Sequence, residues 1–598
     1  MQIDYKLKNI LKSLMVIVII FAMIMPASAT IFNKNEKSNT YSSTTLSIIL
    51  YVDDDFDNST PGWGVDHFNR IEDAINAAID GDEIYVYNGI YMENVVVFKS
   101  IILTGENKEN TIIDGSGNGN VIMITADFAH VEGFTIKNSG NNPINAGIFI
   151  TSENNVITRN IFMDNNIGVR FAESNNELVF NNFFNNIIGA YDEFSNYIDY
   201  NFWDDYGGVD ENEDGIGDTP YNISGDTNKD WDPLIHIYGS IQNLDTEEIF
   251  LTIQSSIDDQ DTLERHTIFV KSDVYHEHLV IEKHINLTGE NKHDTIIDGQ
   301  ESDSVVIISS SFIGEDVTVF LTGFTIRNSG DEFENAGILI ESNNNLITDN
   351  IIEGNYHGII LFDTSNDNEI SHNYICDNNW NGIYITTFAI TKDCNIIFEN
   401  TIENNGYAGI AIVGSSCNKI YHNQFIGNLI NAYDDSNNIW DDGYPSGGNY
   451  WDDYTGGDAD GDGIGDTPYE IENGINIDRY PLMQPYGTDT IPPYVEIISP
   501  QNGLYFRNIR LFPMFLRQKT IIFGNILVEV EASDQSGIEK VEFYLDDGAS
   551  AEETVYIEPY VWAWNNRSII PKKHTILVVA YDNAGNIQTD MINVRKFL

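Results

Sequence analysis

The sequence predicts an all-β protein, with two right-handed parallel β-helices (pectin-lyase-like) in tandem and a C-terminal immunoglobulin-like β-sandwich. Three observations lead to this prediction. Asparagines recur about every 22 residues through most of the chain, which is the signature of a repeat architecture. A long segment of the sequence occurs twice, and the last hundred or so residues lose the repeat.

The composition limits the classes of partner. The 598 residues carry 30 Lys and Arg against 92 Asp and Glu, a net charge of −62. Such a chain repels nucleic acid and attracts cations. A hydrophobic share of 42% excludes a wholly disordered protein. Three cysteines are too few for a disulfide framework, although Cys394 and Cys417 share one phase of the repeat and could either pair or stay free thiols.

The N-terminal segment has the pattern of a secretory signal over residues 1–29. Lysines precede an apolar run that ends at Pro26, and Ala27-Ser28-Ala29 is a small-residue cleavage site. Residues 30–48 then form a linker. We expect a secreted or cell-surface protein with no transmembrane anchor beyond this segment, and an uncleaved N-terminal anchor is the alternative.

The repeat is the phrase Asn-x-Ile/Leu-x-x-Asn, and a glycine followed by alternating apolar residues keeps step with it. The phrase begins at Asn155, Asn176, Asn196, Asn345, Asn368, Asn395 and Asn418. The alternation is typical of strands. Equivalent residues that stay in step over seven turns favour a wound parallel sheet over a sandwich of meandering strands. We therefore expect asparagine columns with coils roughly 4.8 Å apart, because stacked amides bond along the axis and asparagine tolerates the left-handed bends.

The duplication divides the chain into domains. LTGENKENTIIDG near the start returns as LTGENKHDTIIDG in the second half. We predict one β-helix over residues 49–238 and a second over residues 239–487, each with a cap helix at its start (67–79 and, less clearly, 247–257) and an acidic loop at its end.

The last part of the chain has longer strand patterns. DQSG and DNAG turns separate them from residue 490 onward. This pattern predicts an immunoglobulin-like β-sandwich over residues 490–598. We expect a spacer or adhesive module.

The two closing loops, NFWDDYGGVDENEDGIGDTPY and NYWDDYTGGDADGDGIGDTPY, place oxygen side chains at alternate positions. That spacing matches most of a calcium-binding loop, so we expect structural calcium, and a solvated acidic turn is the alternative. Because position twelve is Tyr and not Glu, a further ligand is needed, for which Asp230, Asp232 and Asp478 are candidates. The predicted metal ligands are Asp210, Asn212, Asp214, the Ile216 carbonyl, Asp218, Asp458, Asp460, Asp462, the Ile464 carbonyl and Asp466.

Two other chemistries have candidate residues. His276 and His278 would lie on one face of a strand and could bind copper with a third ligand such as His284. Acid–base catalysis has many candidate carboxylates, among them Asp192 and Asp434. Because the chain is so acidic, their presence does not favour an enzyme over a binding protein. We expect Trp203 and Trp451, at the start of the closing loops, to plug the ends of the β-helices.

The cap helix with GENxxxTIIDG, the asparagine-marked coils and the YWDDY, DGDGIGDTPY and DRYPL phrases together resemble the NosD-like β-helix family. The likeness covers roughly residues 51–486. The family lies within the carbohydrate-binding and sugar-hydrolysing β-helices of pectin-lyase-like fold. Its namesake is an exported accessory protein for copper-site maturation, whereas many archaeal and bacterial surface relatives have no link to copper.

The resemblance implies a function of the surface-protein type. We expect a calcium-stabilised, non-catalytic protein that binds a polysaccharide or cell-envelope glycan, or has a structural role there. One alternative is a polysaccharide lyase or glycoside hydrolase that uses the β-helix groove. The other is a periplasmic copper-binding accessory protein.

Overall fold

The computed structural model describes residues 47–597, apart from 311–316, 364, 388–393, 474, 488–491, 514–519, 535–536, 547, 549, 566–571 and 583–585. The predicted signal segment and nearly all of the predicted linker lie outside the described residues. Within the described part, no helix combines the length and apolar character needed to span a membrane.

A β-solenoid of about 15 coils makes up most of the described chain. The strands of successive coils pair in parallel. Ile241–Asn243 is an exception, because it pairs antiparallel with Ile249–Phe250 and Thr267–Val270. The strands separate into two sets of three sheets, which we name the first coil stack (residues 49–225) and the second coil stack (residues 241–451). The parallel β-helix fold is confirmed, whereas the predicted domain boundaries stay predictions.

The first coil stack has three sheets along its length. The first sheet contains Ile49–Val52, His67–Phe68, Glu83–Val86, Ile102–Gly105, His130–Glu132, Val156–Thr158, Glu177–Val179 and Tyr197–Asp199. The second contains Gly89–Tyr91, Thr111–Asp114, Thr135–Lys137, Ile161–Met163, Asn182–Phe184 and Phe202–Trp203. The third contains Val95–Val97, Ile122–Ile124, Ala146–Ile150, Ile167–Phe171, Ile188–Asp192 and Ser224–Gly225.

The second coil stack repeats this arrangement. Its first sheet contains Ile241–Asn243, Ile249–Phe250, Thr267–Val270, Ile285–Gly289, Val319–Thr322, Leu346–Thr348, Glu369–Ser371, Ile396–Phe398 and Lys419–Tyr421. Its second contains Asp273–Tyr275, Thr295–Asp298, Thr325–Arg327, Ile351–Glu353, Tyr374–Cys376, Thr401–Glu403, Gln424–Ile426 and Tyr450–Trp451. Its third contains Leu279–Ile281, Val306–Ser309, Ala336–Glu341, His357–Phe362, Ile383–Thr386, Ala408–Val413 and Ile430–Asp434.

Isoleucine columns fill the interior of the coils. Ile347, Ile370, Ile397 and Ile420 share one register position on four successive coils, and none of them is exposed to solvent. Burying one such side chain contributes roughly 2 kcal/mol. The alternating apolar positions of the sequence thus stack into the core, and every coil adds to it.

The predicted asparagine columns are present. Asn155 Nδ2 donates to Asn176 Oδ1 at 2.9 Å, and Asn176 Nδ2 donates to Asn196 Oδ1 at 3.1 Å. Each Oδ1 also accepts the backbone N–H of the asparagine one coil earlier, as at Asn155 N, 2.9 Å from Asn176 Oδ1. The amides therefore satisfy backbone groups at a buried corner where water cannot reach them.

A third asparagine column, which the sequence analysis missed, runs along another corner. It contains Asn165 and Asn186 in the first coil stack and Asn355, Asn378, Asn405 and Asn428 in the second. The predicted reason for asparagine at the bends is partly wrong. Left-handed angles belong to the residues that precede the column members, such as Arg159 (φ 56°), Phe180 (φ 58°) and Asn154 (φ 60°). Asparagine is needed for its amide.

Each of the two predicted columns ends on a buried aspartate. Asn196 Nδ2 donates to Asp192 Oδ1 at 2.8 Å, and the neighbouring column ends on Asp230. Asp434 and Asp478 take the same places in the second coil stack. At these column ends a carboxyl oxygen takes the place of the next amide oxygen as acceptor, and in the second coil stack Asn476 Oδ1 also accepts the Asn438 backbone N–H at 3.3 Å.

Short helices cover the start of each coil stack. The helix α1 spans Ile71–Ala77 and α2 spans Ile253–Asp258, so both are shorter than the sequence predicts. The N-terminal part of each predicted helix is a strand, because His67–Phe68 and Ile249–Phe250 pair with the edge of the first coil. Ile71, Ala74 and Ile75 form the buried face of α1.

The immunoglobulin-like domain predicted after the repeat is confirmed as two sheets. One sheet contains Tyr494–Ser499, Ile526–Ser533 and Tyr560–Trp564. The other contains Gly503–Phe506, Ile509–Pro513, Thr520–Phe523, Ile538–Leu545, Glu553–Val555, Lys572–Asp582 and Ile587–Phe597. Its core is separate from the cores of the coils and is built around Trp562, Trp564 and Phe543.

A disulfide joins two neighbouring coils. Cys394 and Cys417, whose pairing the sequence left open, are bonded, and Cys376 is a buried free thiol. Disulfides persist mainly in oxidising compartments. The bond is therefore compatible with export.

Candidate functional site

The first closing loop folds around its own carboxylates. Asp210 accepts the backbone N–H of Asp214 at 3.2 Å and of Gly215 at 2.8 Å. Asp214 accepts the N–H of Ile216 at 2.9 Å and also the side-chain amide of Asn212. These bonds hold four of the predicted ligands, Asp210, Asn212, Asp214 and Ile216, in one tight turn.

The second closing loop has the same bonds. Asp458 accepts the N–H groups of Gly461, Asp462 and Gly463 at 2.7–3.2 Å, and Asp462 accepts the N–H of Ile464 at 2.9 Å. Oxygen atoms of Asp458, Asp460 and Asp462 lie within 4.8 Å of one another. Three of the five predicted ligands in this loop are thus brought together.

The fifth predicted ligand has a parallel role in both loops. Asp218 accepts the N–H of Glu211, and Asp466 accepts the N–H of Ala459, each at 2.8 Å. Both aspartates therefore close the loop from its far end. This repeated geometry is the reason the two loops have the same shape despite different intervening residues.

The charges in the second loop oppose one another. The Asp462 carboxylate raises the pKa of Asp460, whereas the Gly463 N–H lowers the pKa of Asp458. In the first loop, burial raises the pKa of Asp210. A cation bound among these oxygens would relieve the repulsion, and flexible oxygen ligands are those that calcium prefers.

Two of the further ligands proposed from the sequence have a different role. Asp230 Oδ2 accepts the Trp203 indole N–H at 2.9 Å, and Asp478 Oδ2 accepts that of Trp451 at 3.0 Å. Both carboxylates are fully buried at the end of an asparagine column. The expectation that Asp230 and Asp478 reach the metal loops is therefore wrong. They fix the tryptophan plugs.

The tryptophan plugs themselves are as expected. Trp203 stacks between Phe183 at 4.2 Å and Tyr221 at 4.5 Å, measured between ring centroids. Trp451 stacks in the same way in the second coil stack, between Phe425 at 4.3 Å and Tyr469 at 4.2 Å. These sandwiches close the apolar interior at the end of each coil stack.

The histidines proposed as copper ligands do not converge. His278 Nε2 lies 2.7 Å from the Ser302 carbonyl, and His284 Nδ1 accepts the Thr318 N–H at 3.2 Å. His276 is exposed. It lies at a cleft of about 450 Å³ that the first closing loop also lines.

Two of the polar side chains that line that cleft, His236 and Glu277, already have partners. His236 Nδ1 lies 3.0 Å from Asp273 Oδ2. The two oxygens of Glu277 accept the N–H groups of Ile253 and Gln254 at the start of α2, at 2.8 and 2.9 Å. Glu277 thus anchors the cap helix, and its carboxylate oxygens are not free to bind a ligand.

An aromatic column lies on one corner of the second coil stack, and the sequence analysis missed it. We use the name aromatic column for Tyr356, Trp380 and Tyr407, which occupy equivalent positions on three successive coils. Tyr356 and Trp380 are stacked with centroids 6.3 Å apart, and Trp380 and Tyr407 with centroids 4.8 Å apart. Trp380 is 38% exposed, so the column presents a ridge of ring edges to solvent.

Backbone hydrogen bonds hold the aromatic column in register. Trp380 N donates to Tyr356 O at 2.8 Å, and Tyr407 N donates to Trp380 O at 2.7 Å. The ring of Phe333, 52% exposed, meets Tyr356 edge-on at 6.5 Å. The signal in the sequence was an aromatic residue two positions before a repeat glycine, as in Tyr-His-Gly, Trp-Asn-Gly and Tyr-Ala-Gly.

Family comparison identifies the solenoid. The family model described as periplasmic copper-binding protein (NosD) matches residues 99–223 and 259–456, more than half of the chain. The chain belongs to the NosD family. A bacterial Ig domain model matches residues 493–578 of this NosD-family chain. No curated protein matches it.

Solved structures similar to this NosD-family chain share little sequence with it. An A-module of a mannuronan C-5 epimerase from Azotobacter vinelandii is 13% identical, with 62% of this chain and 92% of that chain covered and a TM-score of 0.20. Carrot pectin methylesterase is 10% identical, with 62% and 89% covered and a TM-score of 0.19. The fibronectin(III)-like modules of Clostridium thermocellum CbhA are 19% identical over 20% of this chain and 52% of theirs, with a TM-score of 0.14.

The family description names copper, and the residues of this NosD-family chain do not fit a copper site. In the described part of the chain, each cluster with three His, Cys, Asp or Glu ligand atoms within 4.8 Å consists of carboxylates. Copper prefers imidazole and sulfur ligands, whereas carboxylates suit calcium. The clusters are Asp53, Asp54 and Asp55; Glu248, Asp259 and Asp261; and Asp458, Asp460 and Asp462.

Proposed function

We propose that this NosD-family chain is an exported, non-catalytic glycan-binding protein whose closing loops bind calcium. The observation that carries the proposal is the aromatic column. Monomeric proteins rarely leave contiguous apolar surface in water unless it binds something. Aromatic rings with polar edge atoms suit sugars, which have an apolar face and a rim of hydroxyls.

The geometry of the column suits a polymer. Its rings repeat coil by coil along the solenoid axis, held in place by the backbone bonds of neighbouring coils. Rigid aromatic side chains lose little conformational entropy on binding, which favours affinity from a small surface. A chain of sugars laid along this corner could contact several rings at once.

The carboxylates favour a structural role over catalysis. Two of the catalytic candidates, Asp192 and Asp434, are fully buried and accept the last amide hydrogens of an asparagine column. Arg327, one of the few arginines on the coils, is paired with Asp298 at 2.8 Å. General acid–base catalysis needs carboxyl groups that reach a substrate. These groups are engaged in holding the fold.

Calcium binding in the closing loops is supported by the repeated turn geometry. Both loops hold carboxylate oxygens together through backbone N–H groups, and the Asp462 charge raises the pKa of Asp460. A divalent cation would offset this repulsion. Its role would be to fix the loops that follow the Trp203 and Trp451 plugs.

Export is supported by the disulfide between Cys394 and Cys417 and by the signal-like sequence of residues 1–29. A secreted or cell-surface protein meets polysaccharides and millimolar calcium, whereas a strongly acidic surface repels nucleic acid and anionic lipid. The partner we propose is accordingly an extracellular or envelope glycan.

A glycan array with the mature chain tests the proposal. We expect binding without product formation, lost in Trp380→Ala and retained in Ile187→Ala, which changes the equivalent corner residue of the first coil stack. Absence of binding to any glycan would contradict it. Release of unsaturated products from a uronic-acid polymer would instead establish the lyase alternative. A chelator should lower the melting temperature, and an unchanged melting temperature would contradict the calcium part.

A further inference from the structure

A buried histidine lies directly behind the aromatic column. His357 is completely buried, and its Nε2 has no hydrogen-bond partner among the described residues. Its Nδ1 lies 3.3 Å from the side-chain amide nitrogen of Asn381. Because that amide is a donor, Nδ1 accepts and the proton of the neutral ring is on Nε2. The Phe333 backbone carbonyl acts on the ring but does not accept this N–H at hydrogen-bond geometry. A buried donor without a well-placed acceptor is unusual in a folded protein.

Three aromatic rings contact the imidazole of His357. Its ring stacks on Tyr384 at 5.2 Å and meets Phe333 and Tyr356 edge-on at 5.3 and 5.1 Å. Burial lowers its pKa to about 4, and the Phe333 carbonyl opposes that shift only in part. The imidazole is therefore neutral, and it lies behind the half-exposed ring of Phe333.

The first coil stack has none of these features at the matching positions. Register and the internal repeat place Ile167 where the second stack has His357, and Asn166 and Ile187 where it has Tyr356 and Trp380. Ile187 is 79% exposed and aliphatic. The common fold therefore does not need a histidine or an aromatic column at this corner.

The charge around the corner narrows the ligand class. Asp331, Glu332 and Glu334 flank Phe333 in sequence, and all three are exposed. Carboxylates at this density repel an anionic polymer such as a polyuronate and favour a neutral or positively charged one. The chain as a whole, at −62, adds to that preference.

We propose that this corner is a sugar subsite for neutral or amino sugars, in which Phe333 moves aside and the Nε2–H of His357 donates to a sugar oxygen. The proposal rests on the glycan binding proposed above and names its substrate class. The Tyr356 and Trp380 edges supply the apolar contact. Asp331, Glu332 and Glu334 would bind a protonated amine where one is present.

Calorimetric titration of the mature chain tests the subsite with three probes. The probes are a neutral chito-oligosaccharide, a cationic chitosan oligomer and an oligogalacturonate. We expect the first or second to bind and the third not to bind. Trp380→Ala should weaken binding at least about tenfold, as for other aromatic hot spots. His357→Ile should weaken it roughly fivefold, because one hydrogen bond is lost.

Controls separate this inference from the broader function. Ile187→Ala should bind like the unchanged chain, and His357→Ile should fold normally because isoleucine occupies the matching position in the first coil stack. Binding that Trp380→Ala removes but His357→Ile leaves unchanged, or a preference for oligogalacturonate, overturns the subsite while glycan binding at the aromatic column stands. Failure of all three probes together with an empty glycan array overturns both.

Discussion

The asparagine columns allow a quantitative test at Asn400. Its Nδ2 donates to Ile370 O at 2.8 Å, to Phe398 O at 3.0 Å and to Asn423 Oδ1 at 2.9 Å. Its Oδ1 accepts both the backbone N–H and the side-chain amide of Asn373, each at 3.0 Å. The substitution Asn400→Ala removes all five bonds at a site that solvent does not reach.

The expected loss follows from the groups left behind. The backbone N–H of Asn373 loses its acceptor, and the Ile370 and Phe398 carbonyls lose a donor. Each buried polar group that is left unsatisfied costs about 1–3 kcal/mol. We therefore expect Asn400→Ala to lower the free energy of unfolding by about 3–9 kcal/mol, a large part of the stability of a typical domain.

Urea denaturation followed by far-ultraviolet circular dichroism measures the effect. Asn437→Ala is the matched control, because the Asn437 side chain is exposed at a nearby corner, and its effect should stay within about 0.5 kcal/mol. A change of less than about 1 kcal/mol for Asn400→Ala would refute the reasoning that the amide columns stabilise the corners.

Three further outcomes are expected. Burial raises the pKa of Asp478 from 3.8 to about 7, so its contribution to stability is full below pH 4 and is lost as the pH rises through 7. The melting temperature should fall between pH 5 and pH 8, and it should fall less in Asp478→Asn. An equal pH dependence of the melting temperature in the two proteins would contradict this. Calcium at about 100 times its Kd should raise the free energy of unfolding by about 3 kcal/mol for each loop that binds it. The double substitution Asp458→Asn and Asp462→Asn should remove the contribution of the second loop. Thermal melts with calcium, and with magnesium as the control ion, measure both effects. Cys417→Ser removes a disulfide that spans 23 residues and should lower the free energy of unfolding by about 3 kcal/mol in the same melts. An unchanged stability would show that the coils hold this corner without the disulfide.

The coils could be predicted from the sequence because every coil needs the same kind of side chain at the same corner. A buried corner needs an amide, and the next coil needs its amide directly above, so Asn155, Asn176 and Asn196 recur at nearly equal steps. The closing loops were also readable, since Asp458 and Asp462 bond within a few residues of the chain. Local and repeated interactions leave a mark on the sequence.

Interactions that occur once, or between distant residues, left no such mark. Asp192 and Asp434 read as free carboxylates because nothing in the spacing shows that an asparagine column ends on them. The ring contacts of His357 come from Phe333 and Tyr384, which lie on neighbouring coils. Their proximity depends on coil register, which only the folded chain reveals.

The asparagine columns also free the rim of the solenoid to vary. The step from Asn176 to Asn196 is 20 residues and the step from Asn368 to Asn395 is 27, yet the amide bonds across them are 3.1 and 3.0 Å long. The longer coil thus contains seven more residues, and the amide hydrogen bond across it is no longer than the one across the shorter coil. An evolving lineage or a protein engineer could lengthen a single corner to present new recognition segments, with the coils on either side left intact.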